Sequence, residues 1–146
     1  MSCSLPAHAA HPAHAAHPAV LAVDGGNSKT DVALVAADGT MLAQVRGPGV
    51  PIRLSADTLR LLATLVRSVS HEAGLAPGPA GQTGAASSGG GVIARHMVAC
   101  MANVDLPEEE RELDQMLRAQ GWSHTVDVAN DTLALLRAGL DGRLPP

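Results

Sequence analysis

The sequence predicts an α/β fold of order βββαβαβα built on a mixed sheet. Two observations carry this reading. Three short apolar runs before residue 50 are separated only by tight turns, the pattern of an antiparallel meander. Beyond residue 55, helix-spaced apolar positions alternate with two further strand-like runs, which implies strands added in parallel through right-handed crossovers. At 146 residues the chain suits one domain with one hydrophobic core.

Each element has its own signal. Residues 20–23 form the first apolar run, and 30–36, rich in Val, Leu and Ala, form the second. Between them lies the turn DGGNSKT. Asp38-Gly39 marks the next turn, and 41–45 makes the third strand. After the loop GPGVP, Ser55 is placed to cap a helix in which Leu59, Leu62, Leu65, Val66 and Val69 recur at helical spacing. Gly74 stops it. Residues 74–91 are rich in Gly, Pro, Ala and Ser and read as a mobile loop. A buried strand is expected within 92–104, interrupted by Arg95 and His96. DLPEEERELDQML then starts a helix, with Pro107 in the first turn and Glu108, Glu109 and Glu110 at the positive end of the dipole. Residues 123–128 give the last strand. Asn130 or Asp131 opens a final helix that Gly139 ends.

Composition bounds the function. A net charge of −4 without a basic block argues against nucleic acid as the main partner. Phe and Tyr are absent and Trp122 is the single aromatic, so the core is aliphatic and base-stacking platforms are not expected. No apolar stretch approaches the roughly 20 residues of a membrane span. The N-terminus has no basic region followed by an apolar one, so it is not a secretory signal. Cys3 and Cys100 have no metal or disulfide spacing, which fits a reducing compartment, the cytoplasm by default. Residues 1–18 carry the hexapeptide AHAAHP twice in tandem and read as a disordered His/Ala/Pro-rich leader. His8, His11, His14 and His17 recur every third residue, so a metal-binding edge on a polyproline-like strand is the alternative.

Two stretches carry candidate chemistry. In DGGNSKT, strand follows the turn rather than helix, so it is not the GxxxxGK[ST] phosphate loop. A hairpin can still cradle phosphate. Gly25, Gly26 and Asn27 tolerate the backbone geometry that lets successive N–H groups converge on an anion, and Ser28, Lys29 and Thr30 add donors and charge. Asp24, at the end of the first strand, is placed to hold hydrated Mg²⁺ near the phosphates. An ordinary hairpin turn accounts for the same residues equally well. The second stretch is VANDTLALLRAG, in which Asn130-Asp131 at a strand end puts a carboxylate into the cleft above the sheet, or else caps a helix.

Taken as an ordered set, AVDGGNSKTDVALVAADGTMLAQVRGPG, ANVDLPEEE and VANDTLALLRAG resemble the N-terminal half of the BadF/BadG-type ATPases and N-acetylglucosamine kinases. These belong to the sugar kinase, heat-shock protein and actin superfamily. The resemblance runs from about Ala19 to Gly139 and implies a ribonuclease-H-like, actin-like ATPase domain over 19–146. It implies that Gly25, Gly26, Asn27, Ser28, Lys29 and Thr30 meet ATP phosphates and that Asp24 serves the metal. It further implies that Asn130 and Asp131 meet an amino sugar, with Asp131 as base for the sugar hydroxyl. Asn27 and Ser28 depart from the family's Gly-Thr, GPGVPIRL lacks the polar residue found near the sugar, and residues 76–95 fit poorly. The family's second half is absent, so the expected activity is a sugar kinase that is silent as this chain. An activator ATPase with a shared iron–sulfur cluster is the weaker alternative, since its cysteines are missing. A non-catalytic half-domain is the third reading, and surface left for the absent half leaves a homodimer open.

Overall fold

A computed structural model describes residues 17–51, 55–75 and 91–139. The repeat-bearing leader up to residue 16 and most of the Gly/Ser-rich segment lie outside the described residues. The elements are β1 Pro18–Gly25, β2 Lys29–Ala36, β3 Met41–Pro48, α1 Ala56–Glu72, β4 Ala94–Met101, α2 Pro107–Arg118, β5 Ser123–Asn130 and α3 Asp131–Gly139. The order βββαβαβα is thus as the sequence implies.

The sheet runs β3-β2-β1-β4-β5. β1 pairs antiparallel with β2, and β2 with β3. β4 adds to β1 in parallel, and β5 to β4. The strands outrun their apolar cores. β1 starts at Pro18, where the missing N–H costs least, and β5 continues through Ala129 to Asn130 because it is paired with Cys100 and Met101 of β4. Register, not hydropathy, sets those ends.

One face of the sheet carries Leu21, Val23, Val32, Leu34, Met97, Ala99, Met101 and Val126, all buried. Leu62, Leu65, Val66 and Val69 of α1 and Leu113 and Leu117 of α2 close over it. Alternation of period two explains the other face, where Ala22, Ala33 and Val98 are half-buried and Asp24 is exposed. Local signals start the helices. Ser55 Oγ accepts from Asp57 N–H at 3.2 Å, capping α1. At α2 the side chain of Glu109 reaches back to accept from the backbone N–H groups of Asp105 (2.9 Å) and Leu106 (3.0 Å). Gly39 sits at φ 86° in the β2–β3 turn, a conformation that favours glycine. Among the described residues no helix is long and apolar enough to cross a membrane.

Candidate functional site

β1, β4 and β5 run parallel, so their C-terminal ends open on one edge of the sheet, and the sequence-selected residues gather there. Register places Gly25 beside Met101, and Met101 beside Asn130. One residue back, a lateral row crosses all five strands: Arg46, Asp31, Asp24, Cys100 and Ala129. Register partners share a face, so Asp24 stands between a second carboxylate and a thiol.

The Asp24–Asp31 juxtaposition would be repulsive if both charges were free. Arg46 removes much of that cost by gripping Asp31 through two bonds, Nε to Oδ1 at 2.7 Å and Nη2 to Oδ2 at 3.0 Å. Lys29 Nζ adds a contact at 3.5 Å. The Arg46 hydrogen bonds, chiefly, hold the Asp31 carboxyl below its usual range. A carboxyl whose pKa falls on folding stabilises the fold above its unfolded value, and that contribution is lost as pH drops through the lowered folded value. Asp31→Asn should therefore lower the melting temperature modestly at pH 7 and progressively less as the pH falls below the ordinary carboxylate range. A melt series across that range checks it.

The turn is closed by Gly26 N–H donating to Lys29 O at 2.9 Å, which leaves Asn27 and Ser28 as a two-residue tip. Among the described residues the N–H groups of Asn27 and Ser28 have no protein acceptor. Both residues are exposed, as is Lys29. Two expectations change in detail. Among the described glycines positive φ is found at Gly39, Gly74 and Gly121, so Gly25 and Gly26 are not there for left-handed backbone. They are there for space: a Cβ on Gly25 would overlap the Met101 thioether, and one on Gly26 would press on Lys29 O at 3.2 Å. Thr30, in turn, is fully buried, and its Oγ1 donates to Pro48 O at 2.9 Å. Its hydroxyl braces the turn from below.

At the other end of the edge the capping duty falls on Asn130. Its Oδ1 accepts from Thr132 N–H at 2.9 Å, and its Nδ2 donates to Val104 O (3.1 Å) and Asp105 Oδ1 (2.7 Å). Every amide position of Asn130 is thereby engaged with protein. Asp131 follows as the first residue of α3, half-buried. Neither Asp24 nor Asp131 forms an ion pair among the described residues. Both act on Cys100: burial pushes its thiol up, and the negative charges of Asp24 and Asp131 push it further. The two acids proposed from sequence thus flank one sulfur.

No group of three or more His, Cys, Asp or Glu side chains forms a metal site among the described residues. A single unpaired carboxylate such as Asp24 suits Mg²⁺ that keeps most of its waters, rather than a cation caged by protein ligands. Sequence reading did not bring Arg46, Asp31 or Cys100 to this edge. The first two were accessible by counting the hairpin register back from Asp38-Gly39. Cys100 required the parallel register of β4.

No protein-family profile matches the chain, and no curated protein matches it. Solved structures do. One is the crystal structure of a "putative N-acetylglucosamine kinase" from Chromobacterium violaceum, similar at a TM-score of 0.58 and 19% identity. The match covers 88% of this chain and 40% of that one. The fold is ribonuclease-H-like. In that fold, the edge carrying Asp24, the turn and Asp131 is the carboxyl end of the parallel strands, the position where α/β sheets bind ligands.

Proposed function

We propose that this chain is the N-terminal half of an ATP-dependent sugar kinase of the BadF/BadG and N-acetylglucosamine kinase type, acting on a hydroxyl of an N-acetylhexosamine. The observation that supports it best is the shared edge. It holds a turn with two backbone N–H groups and two carboxylates that have no protein partner among the described residues, and a lysine. Phosphoryl transfer is catalysed mainly by positioning and charge, so such an edge has the parts one wall of a cleft must supply.

In this reading the Asn27 and Ser28 N–H groups and Lys29 hold phosphate oxygens, and Gly25 and Gly26 keep the strand end bare enough for them to approach. Asp24 orients hydrated Mg²⁺, which when bound neutralises charge on the phosphates. Asp131 accepts the proton of the attacking sugar hydroxyl. β1 and β5 are two strands apart, about 10 Å, which leaves room for the transferring phosphoryl group between the turn and Asp131. Asn130 holds the backbone that presents Asp131. A cytoplasmic setting goes with this reading, as does a thiol kept free at Cys100.

The chain spans about 40% of the length of the kinase-like neighbour. A cleft needs a second wall, so we expect the chain alone to show no sugar-dependent ATP turnover. α3 exposes Leu133 (55%), Leu135 (72%) and Leu136 (58%), apolar surface of the sort a second domain or a second copy covers. The decisive experiment joins the chain to a second half and measures ADP release over a panel of amino sugars. Turnover with an N-acetylhexosamine, with Lys29→Ala and Asp24→Asn raising the ATP and Mg²⁺ concentrations required, is the expected result. Turnover by the chain alone would overturn the need for a second wall, and wild-type ATP and Mg²⁺ dependence in both variants would refute the assignment.

A further inference from the structure

The segment after β3 is bonded to the turn far more closely than a passing loop requires. Thr30 Oγ1, from the first buried position after the turn, donates to Pro48 O at 2.9 Å. Val50 N–H donates to Gly26 O at 2.9 Å, taking the carbonyl just before the turn's tip. Between these two bonds lies Gly49. A Cβ at Gly49 would overlap the carbonyl of Asn27 and stand 2.7 Å from Ser28 N, backbone atoms that yield only if the turn itself moves. Val50 is buried, and Asn103 Nδ2 donates to Pro51 O at 3.3 Å, so the segment is itself anchored to the loop after β4.

We propose that residues 47–50 are a clamp that sets the shape of the 26–29 turn, and that Gly49 is a positioning residue for phosphate binding at that turn. The physical argument is geometric. A two-residue tip whose N–H groups are free has no internal bonds to fix its peptide plane. The plane between Asn27 and Ser28 is instead fixed by the side-chain-free Gly49 Cα packed against it, with Thr30 and Val50 holding that Cα in place. Any side chain at 49 pushes this peptide outward and turns the two N–H groups away from a common anion. Gly49 is thus glycine for close approach of two backbones, since its φ is not in the left-handed region. The inference rests on the phosphate reading given above and adds a residue that touches no ligand.

The test uses the 146-residue chain, amide NMR and Mg·ATP or pyrophosphate as the probe, at millimolar concentration. In the wild type, the amides of Asn27 and Ser28 should shift on titration while those of the Gly39 turn stay still. In Gly49→Ala, the apparent affinity should fall roughly tenfold, the effect of misaligning one charge-assisted hydrogen bond. Strand amides should keep their positions. Thr30→Val keeps the buried volume and removes only the bond to Pro48, and it should weaken the same response by a smaller factor. A wild type that does not respond overturns the phosphate reading and the inference with it. A wild type that responds, with both variants responding equally, overturns the clamp alone. Global unfolding of both variants also overturns it, because the segment would then be a stability element and not a positioning one.

Discussion

Asp131→Asn, in a protein that supplies both walls of the cleft, is expected to cut sugar-dependent turnover at least about a hundredfold while ATP binding and melting temperature stay nearly unchanged. The chemistry asks for this. A sugar hydroxyl is a poor nucleophile, and a carboxylate placed to take its proton both raises its reactivity and aims it. The amide has the same size but cannot take a proton. The fold makes the variant clean. Asn130, not Asp131, caps α3 through Thr132 N–H, so the substitution leaves the cap in place. Asp131 also has no ion pair to lose among the described residues. What changes is one charge at the carboxyl edge of β5. Asn130→Ala is the control with the opposite signature: it removes the cap and two bonds to the 104–105 backbone and side chain, so it lowers the melting temperature first. Steady-state kinetics alongside a thermal melt separates the two. Near-normal turnover in Asp131→Asn removes it from the catalytic role.

The pairing of Asn130 and Asp131 illustrates what a sequence can and cannot disclose. VANDT is legible as the start of a helix because Asn and Asp both cap well, and for that same reason it does not say which of them caps. The choice is made by Val104 O and Asp105 Oδ1, twenty-five or more residues upstream, which capture the Asn130 amide and orient its oxygen toward Thr132. The strand and helix order was legible because hydrophobic spacing and turn residues are local. Ser55, Pro107, Gly39 and Gly74 act on their own neighbours. The clamp was not legible. Gly49 looks like any loop glycine until β3 is folded back on β2 and its Cα meets the Asn27–Ser28 peptide. The place of Cys100 beside the Asp31–Asp24 pair was hidden likewise, since the thiol joins that row only once the parallel β1–β4 register is fixed. Local rules found the turn; long-range register determines what surrounds it.

Trp122→Ala is the second large effect expected, and it falls on stability with the site untouched. With no Phe or Tyr, the core is made of many small aliphatic contacts and one large aromatic, which is 2% exposed. Removing an aromatic side chain of that size from a packed interior costs about 3–5 kcal/mol, a large part of the roughly 5–15 kcal/mol that holds a domain folded. The cost is packing alone. Trp122 O keeps its bonds from Ile93 N–H (2.7 Å) and Ala94 N–H (3.2 Å), because they use backbone. A fall in melting temperature of roughly 10 °C or more should follow. Trp122→Leu should recover part of it by refilling some of the volume. Location decides what does not change. Ser123, next to Trp122, pairs with Ala94 at the start of the parallel strands, whereas Asn130 pairs with Met101 at their end. Seven residues of strand, about 23 Å, separate them. At a temperature where Trp122→Ala is still folded, the Asn27 and Ser28 amides should therefore answer Mg·ATP or pyrophosphate as in the wild type. Far-UV circular dichroism reads the melt, since the variant has no fluorophore left. A shift of less than about 2 °C would mean the indole contributes little packing, and an altered turn would mean the two ends of the sheet are coupled.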